Sequence, residues 1–356
     1  MPKVLIIYTG GTFGMVPSEG GFAIDDISAK ALKQRIETFV PELRYLAQCD
    51  IEVALNCDSA HIGPEEWIQL ANLIKKKWSH YDGVVILHGT DTLAYTASAL
   101  SFLLRPCKKP VIITGAQRPL ASIRTDARRN LLSAVEIAAT GPRDVVSQVC
   151  VFFDDRLLQG NLSRKRSATD FFAFESPKAA PLAMVGTEIR YAREAVKSRG
   201  KVSTAKITPV FSGRVAILQV TPSFPAASFV SSWLNLLDGL ILKVFYSGTA
   251  PTQDPAFMNL LREAKRLDLP IVAVTEGSTQ VPAHTSSALY PAARELVDEG
   301  VVPAYDMTSE AAFVKASLLL GHLGVQAGVK SRRREFLRLW NLNLAGEVPS
   351  FRNKSK

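Results

Sequence analysis

The sequence predicts a two-domain α/β protein, with a larger N-terminal domain built on a mostly parallel, doubly wound sheet and a smaller C-terminal α/β domain. The chain has 356 residues, which is enough for two hydrophobic cores. Short β-branched runs alternate with amphipathic stretches, as strands alternate with crossover helices in parallel sheets. A polar, basic stretch interrupts this alternation. We therefore expect domains at residues 1–190 and 213–325, joined by a linker at 191–212.

Four β-branched runs predict the strands of the first domain, and the amphipathic stretches between them predict its helices. After Pro64, Trp67 and later apolar residues recur at helical spacing, and leucines line a second helical stretch after Asp91. The predicted strands are Val4–Tyr8, Val84–Leu87, Val111–Thr114 and Val149–Phe153.

The same alternation resumes after residue 212 and predicts a second α/β domain of the Rossmann-like kind. Thr308 is expected to cap a last long helix, with Glu310 in its first turn. The other expected elements are strands at Val215–Val220, Leu240–Phe245 and Ile271–Thr275, and helices at Pro255–Leu267 and Ser287–Glu299.

The formal net charge is +9, and the basic excess is concentrated in two segments. Residues 325–356 contain eight basic and two acidic residues, and residues 191–206 contain five and one. The rest is close to neutral, which argues against nucleic-acid binding, because holding a phosphate backbone requires a broad basic surface. We expect residues 326–356 to form a solvated basic tail, although Arg332, Arg333 and Arg334 could contact an acidic partner.

The cysteines and the longest apolar stretch indicate the compartment. The stretch Ala226–Phe245 is interrupted by polar residues and reads as a helix followed by a strand rather than a membrane span. The four cysteines lie far apart, without the spacing of a zinc site or the density of a disulfide scaffold. No targeting peptide is recognisable. The sequence predicts a reduced, cytoplasmic protein with no metal and no membrane partner.

Two polar clusters follow predicted strands, where ligands bind in open α/β sheets. The first is Thr9-Gly10-Gly11-Thr12-Phe13-Gly14, in which glycines let backbone N–H groups approach a ligand, although a plain turn explains it equally well. The second is His88-Gly89-Thr90-Asp91-Thr92, which combines hydroxyl groups with a carboxylate. Thr90 or Asp91 could instead cap the next helix, and His88 fits a buried histidine better than a base.

Together, the two clusters resemble the signatures of the bacterial-type L-asparaginases, in which one strand runs into TGGT and another into HGTDT. The resemblance extends to Asp58-Ser59, to residues 114–120, to Gly160-Asn161 ahead of Lys165, and to residues 306–312, which look like the segment that opens the last helix of the cytoplasmic type I branch. It covers residues 3–325. It implies amide hydrolysis without a metal or organic cofactor, and a homodimer or dimer of dimers.

The resemblance assigns the reacting groups residue by residue. It implies that Thr12 attacks the side-chain amide of asparagine, which gives a β-aspartyl enzyme and ammonia. Thr90, Asp91 and Lys165 would form a second polar group, in which Lys165 helps to deprotonate Thr90 or the attacking water. Without the resemblance, an ordinary salt bridge would be the simpler interpretation of Lys165.

The resemblance also implies the residues that hold the substrate. Ser59 and Asp91 would bind its α-carboxylate and α-amino groups, since a carboxylate suits an ammonium by charge. Gly11 and Ala116 would offer backbone groups near the amide oxygen, in the oxyanion role.

The sequence departs from the family pattern at several places, two of which lie near the reacting groups. Many relatives have a tyrosine on the loop after TGGT, where this chain has Phe22, which offers no proton relay to Thr12. By the resemblance, Tyr290 of a neighbouring subunit is a candidate substitute, and core packing is the alternative role for it. After Ser59, Ala60 and His61 replace polar residues that are common in the family, which affects substrate preference more than reaction type.

The sequence thus predicts an amidohydrolase that converts L-asparagine to L-aspartate and ammonia, with weak glutaminase activity as a side reaction. One alternative is an RNA-partnered amidase that resembles a glutamyl-tRNA amidotransferase subunit, but TGGT begins here at residue 9, and that subunit usually has an extra N-terminal domain. The other is a non-catalytic amino-acid sensor. Phe22, Ala60 and His61 favour the sensor, and the complete set of reacting groups argues against it.

Overall fold

An eight-stranded sheet forms the first unit of the chain and a four-stranded parallel sheet forms the second, which confirms the predicted α/β fold class. The computed structural model describes residues 1–19, 21–194, 201–275 and 290–348. The division into units, Met1–Ser198 and Arg199–Lys356, lies within the predicted connection. Strand β12 (Ile189–Tyr191) extends one residue into that connection.

The first unit contains strands and helices whose bounds lie close to the predicted ones, together with elements that were not predicted. The strands are β1 (Lys3–Gly10), β2 (Val16–Ser18), β3 (Gly21–Ala23), β4 (Gln48–Cys57), β5 (Gly83–Leu87), β6 (Val111–Thr114), β7 (Val149–Phe153), β8 (Arg156–Gln159), β9 (Arg164–Lys165), β10 (Phe174–Glu175), β11 (Ala183–Val185) and β12. The helices are α1 (Ala29–Phe39), α2 (Leu43–Leu46), α3 (Pro64–Lys77), α4 (Leu93–Leu103), α5 (Ala127–Thr140) and α6 (Arg143–Val146), with short 3₁₀ helices at Thr12–Gly14, Ser59–His61, Trp78–His80 and Gly160–Leu162.

The large sheet has the strand order β12-β11-β8-β7-β6-β5-β1-β4, in which β7 to β4 are parallel. Alternate residues of β1, Val4, Ile6 and Tyr8, share a core with residues of α1 and α5. Leu5 and Ile7 are equally buried and point to the opposite face, because side chains alternate along a strand. Burial on both faces explains the continuous apolar runs from which these strands were predicted.

The register of the parallel strands brings their polar ends together. Tyr8 pairs with Leu87, Leu87 pairs with Thr114, and Gly10 pairs with Cys57. Because these strands run in the same direction, the segments that follow all four leave the sheet at its carboxyl edge.

The second unit has the strand order β13 (Val215–Gln219), β14 (Gly239–Val244), β15 (Ile271–Thr275) and β16 (Val302–Pro303). The predicted cap at Thr308 is confirmed, since its side chain accepts a hydrogen bond from Ala311 N, and Glu310 lies in the first turn. Residues 287–289 of the predicted helix lie outside the described residues. The helices are α7 (Ala226–Ser232), α8 (Pro255–Arg266), α9 (Pro291–Asp298), α10 (Ser309–Gly324) and α11 (Arg332–Trp340), with a 3₁₀ helix at Leu234–Leu236.

The expectation of a solvated tail is wrong for residues 331–348. Ser331 caps α11, whose Phe336, Leu339 and Trp340 are buried. Arg332, which was expected in the solvated tail, forms an ion pair with Asp238. The solvated-tail expectation rested on the net charge of the segment and overlooked the apolar face of α11, which packs on the second unit. Burial of that face favours the folded state.

Candidate active site

The loops that follow β1 and β5 pack against each other through two glycines. A Cβ atom on Gly11 would lie 2.3 Å from the Cα atom of Gly89. The φ angle of Gly11 is +79°, a conformation that favours glycine. The two backbones can approach this closely only because neither residue has a side chain. Half-buried Thr12 and buried Thr90 therefore follow on adjoining loops at one edge of the sheet.

Lys165 joins the predicted second polar group. Its Nζ atom donates hydrogen bonds of 2.7 Å to Thr90 Oγ1 and of 2.7 Å to Asp91 Oδ1. The Lys165 side chain is 18% exposed, whereas that of Asp91 is 68% exposed. The ammonium is thus held between a hydroxyl and a carboxylate, and the Asp91 carboxylate still faces solvent, where a cationic ligand group could reach it.

The β9–β10 hairpin holds Lys165 in place. Lys165 pairs with Phe174 across the two strands. Beside it, Arg164 donates to one carboxylate oxygen of Glu175 through Nε at 3.0 Å and through Nη2 at 2.8 Å. Two donors on one guanidinium fix the geometry of the hairpin more firmly than a single contact would.

The helix-cap alternative for Thr90 and Asp91 does not hold. Helix α4 begins at Leu93, and its N-cap is Thr92. The Thr92 hydroxyl donates over 2.6 Å to the backbone oxygen of Ser59, so it ties the β5 loop to the loop after β4. Thr90 and Asp91 instead contact Lys165.

His88 is a buried, neutral histidine, as the sequence favoured. Burial is the main cause that lowers the pKa of His88 from 6.5 to about 4. Its Nδ1 lies 2.6 Å from Gly89 O and its Nε2 lies 2.9 Å from the Thr96 hydroxyl, which also accepts from Trp67 Nε1 at 3.1 Å. This pattern fits a ring that donates through Nδ1 and accepts through Nε2. His88 therefore orients the Gly89 carbonyl next to Thr90.

Ser59, which the resemblance assigns to the substrate α-carboxylate, lies next to Gly89. It is buried in the 3₁₀ helix Ser59–His61, and a Cβ atom on Gly89 would lie 2.8 Å from Ser59 Oγ. The neighbouring Ala60 and His61 are exposed. Ser59 and Gly89 therefore belong to one cluster of loops.

The loop after β6 brings buried Ala116 to the same edge of the sheet. A Cβ atom on Gly115 would lie 2.3 Å from the His88 carbonyl oxygen, so these two loops also pack through a glycine. Asn130 on α5 donates through Nδ2 to Gly115 O over 3.0 Å.

Asp126 was missed by the sequence analysis, although it anchors the loop that carries Ala116. Its carboxylate accepts from the backbone N–H groups of Gln117 and Arg118 at 2.9 to 3.1 Å. Burial raises the pKa of the Asp126 carboxyl, and these hydrogen bonds oppose that change. The four-residue spacing of Asp126 and Asn130 at the start of α5 was the only signal of this role in the sequence.

Phe22 and its candidate substitute Tyr290 lie in different units. Phe22 lies on β3, pairs with Pro17 of β2, and is 47% exposed. Tyr290 immediately precedes α9 in the second unit and is 47% exposed, so the alternative of core packing does not apply to the described chain.

Within residues 1–19, 21–194, 201–275 and 290–348, no group of three His, Cys, Asp or Glu side chains could hold a metal ion. The helices in these ranges lack the length and apolarity that a membrane crossing requires.

Fold and site define the class: a two-unit α/β protein with paired threonine loops and a lysine–carboxylate pair at the carboxyl edge of a parallel sheet. The chain belongs to the asparaginase family. The family model described as "Asparaginase, N-terminal" matches residues 3–197, and the model described as "Glutaminase/Asparaginase C-terminal domain" matches residues 214–330. The family resemblance inferred from the two loop motifs is thereby confirmed.

Individual relatives and a solved structure are similar to this chain over most of its length. L-asparaginase 1 of Escherichia coli K12 is 37% identical, with 89% of this chain and 91% of that protein covered. The 60 kDa lysophospholipase of Mus musculus is 36% identical over 91% of this chain, which spans only 59% of that protein's length. The solved structure of the thermostable L-asparaginase from Thermococcus kodakarensis superposes with a TM-score of 0.81 at 28% identity, and covers 97% of this chain and 99% of its own.

Proposed function

We propose that this protein hydrolyses the side-chain amide of L-asparagine to L-aspartate and ammonia, with a weaker action on L-glutamine. The observation that carries the proposal is the position of Lys165 Nζ, 2.7 Å from both Thr90 Oγ1 and Asp91 Oδ1, beside the packed Gly11 and Gly89 loops. Amide hydrolysis needs a nucleophile, a group that moves protons and donors for the oxyanion. In this proposal Thr12 is the nucleophile, and Lys165 with Thr90 moves the protons. Backbone N–H groups near Gly11 and Ala116 are the oxyanion donors.

In the first proposed step, Thr12 Oγ1 attacks the amide carbon, and its hydroxyl proton is relayed to the amide nitrogen by Tyr290 of a neighbouring copy of the chain. The carbon–nitrogen bond breaks, and the leaving nitrogen takes up a proton and departs as ammonia. A water molecule then adds to the β-aspartyl ester, activated by the pair of Thr90 and Lys165. The ester bond breaks, Thr12 recovers its proton, and one water is consumed for each aspartate formed.

The substrate is held in this proposal by its charged α-groups. Asp91 binds the α-ammonium through the part of its carboxylate that faces solvent, and Ser59 binds the α-carboxylate. Tyr290 from a neighbouring copy of the chain takes the place of the tyrosine that Phe22 replaces, so we propose a homodimer or dimer of dimers as the active form.

The test is ammonia release by the purified protein on L-asparagine and L-glutamine, beside the variants Thr12→Ala and Lys165→Met. Thr38→Ala and Lys30→Met are matched controls, because these residues lie on exposed positions of α1. Turnover that is lost in both site variants and kept in both controls supports the proposal.

Other outcomes would overturn it. Binding of L-asparagine without turnover would favour the sensor, and retention of tRNA at physiological salt would favour the RNA-partnered amidase. Release of fatty acid from a lysophospholipid, in the absence of ammonia release, would point to the activity named for the mouse relative.

A further inference from the structure

A two-stranded hairpin follows directly after the turn that contains Thr12. Strands β2 and β3 pair antiparallel, with Val16 opposite Ala23 and Pro17 opposite Phe22, and they form a small sheet separate from the eight-stranded one. The chain enters the hairpin after Gly14 and leaves it before Asp25. The placement of Phe22 and of the Thr12 turn therefore depends on how these two ends are held.

One guanidinium group joins the two ends. Arg35 on α1 donates through Nη1 to the carbonyl oxygen of Gly14 at 2.9 Å, and through Nη2 to Asp25 Oδ2 at 2.7 Å. Its side chain is 23% exposed and that of Asp25 is 38% exposed, so the contact is partly shielded from solvent. Asn56 of β4 adds a second anchor, since its Nδ2 donates to the Asp25 carbonyl at 2.8 Å.

The Gly14 end of this contact belongs to the turn that carries Thr12. A Cβ atom on Gly14 would lie 2.1 Å from the Tyr8 hydroxyl, so the turn rests directly on β1. The preceding carbonyl, of Phe13, accepts from Leu120 N at 3.1 Å. Successive carbonyls after Thr12 are thus engaged by groups from two other segments.

We propose that Arg35 is a positioning residue, which holds the Thr12 turn and the Phe22 hairpin in register with each other. This role rests on the proposed function as far as turnover is concerned. A guanidinium presents parallel donors to two acceptors at once, whereas the single ammonium of a lysine cannot reproduce that fork. Loss of one donor frees either the turn or the exit of the hairpin. The nucleophile is then held less well, and a shift of about 1 Å can cost about 100-fold in rate.

The test compares Arg35→Lys and Arg35→Met with Lys33→Met. Lys33 is on the same helix and forms an ion pair with Glu37 of that helix, so its replacement removes the same charge without removing a hydrogen bond to the hairpin ends. The rate of chymotrypsin cleavage at Phe22 reports the anchoring, because none of these variants alters that cleavage site. Steady-state kinetics on L-asparagine report the placement of Thr12, and thermal unfolding identifies any variant that fails to fold.

Arg35→Lys is expected to raise the cleavage rate at Phe22 severalfold and to lower kcat by about 10-fold or more, with a smaller change in KM and a melting point close to that of the unchanged protein. Asp25→Asn should give a milder form of the same effects. The double variant Arg35→Lys/Asp25→Asn should change the cleavage rate and kcat by less than the product of the two single changes, since both substitutions act on one contact. Arg35→Met should raise the cleavage rate and lower kcat by more than Arg35→Lys does.

The proposal would be overturned if the Arg35 variants had the same cleavage rate at Phe22 and the same kcat as Lys33→Met. If the unchanged protein releases no ammonia from L-asparagine, the proposed function fails. The cleavage rates then decide the Arg35 proposal alone, and equal rates in Arg35→Lys and Lys33→Met refute it.

Discussion

Lys165 donates a hydrogen bond of 2.7 Å to the hydroxyl of Thr90, although the two residues are 75 positions apart in the chain. Because the hydroxyl oxygen accepts this bond, its own proton points elsewhere and is available to a water molecule or a bound amide. The contact makes the two side chains one unit, and it distinguishes this arrangement from an ordinary salt bridge between Lys165 and Asp91.

If Lys165 and Thr90 act as one unit, their losses should not multiply. Lys165→Met and Thr90→Val are each expected to lower kcat/KM for L-asparagine by about 100-fold or more, as the loss of a positioned proton-transfer group does. The double variant should be little worse than the more damaged single variant. Ammonia release in a double-mutant cycle measures this, and losses that multiply would show two independent roles.

Gly11→Ala should damage both stability and activity. The added Cβ would lie 2.3 Å from Gly89 Cα at a φ of +79°, so steric overlap adds to backbone strain and we expect a loss of about 3 kcal/mol or more. Gly21→Ala is the matched control, because Gly21 also has a positive φ, of +153°, but no described atom beyond its chain neighbours lies within 4 Å of its Cβ position. Urea unfolding compares the two, and equal losses would mean that strain alone, without the close approach, explains position 11.

Buried His88 should make stability depend on pH in the acid range. Between pH 6.5 and about 4 the unfolded chain binds a proton at this histidine and the folded chain does not. The free energy of unfolding is therefore fully retained above pH 6.5 and falls as the pH approaches 4, by about 3 kcal/mol in all. His88→Gln should remove this part of the slope in urea unfolding measured across pH. Exposed His61→Gln should leave the slope unchanged, and a slope shared by all three proteins would contradict the prediction.

The buried ion pair of Lys315 and Glu347 should stabilise the packing of the C-terminal segment on α10. Both side chains are 0% exposed, and Lys315 Nζ donates to Glu347 Oε1 at 2.5 Å and to the carbonyls of Trp340 and Leu342 at 2.9 Å. Lys315→Met leaves the carboxylate buried without its cation, at a cost of about 3 to 5 kcal/mol. The double variant Lys315→Met/Glu347→Leu should recover part of that loss in urea unfolding. A double variant as unstable as the sum of the two single variants would argue against coupling.

The buried parallel strands and the Thr308 cap were predictable from the sequence, since their signals are local. Val111–Thr114 and Val149–Phe153 match the structure residue for residue, and Thr308 caps the helix that it was expected to cap. Edge elements were not predicted. β4 does alternate, with Cys49, Ile51 and Val53 packed against the core, but it lacks the continuous β-branched run from which the other strands were predicted. β11 and β12 have three residues each, too few for a periodic signal.

The sequence by itself determined the α/β class, the order of the main strands and the two loops that carry Thr12 and Thr90, because β-branched runs, glycines and capping residues act on their immediate neighbours. The family resemblance grouped Lys165 with Thr90, and the tertiary structure decided the hydrogen bond between them. Only the tertiary structure decided that Arg35 joins Gly14 to Asp25 and that the basic C-terminal segment is folded. Each of these contacts joins groups that are distant in the chain. Such contacts form only after burial of apolar surface has offset the loss of chain entropy on folding, and no local pattern records which partners then meet.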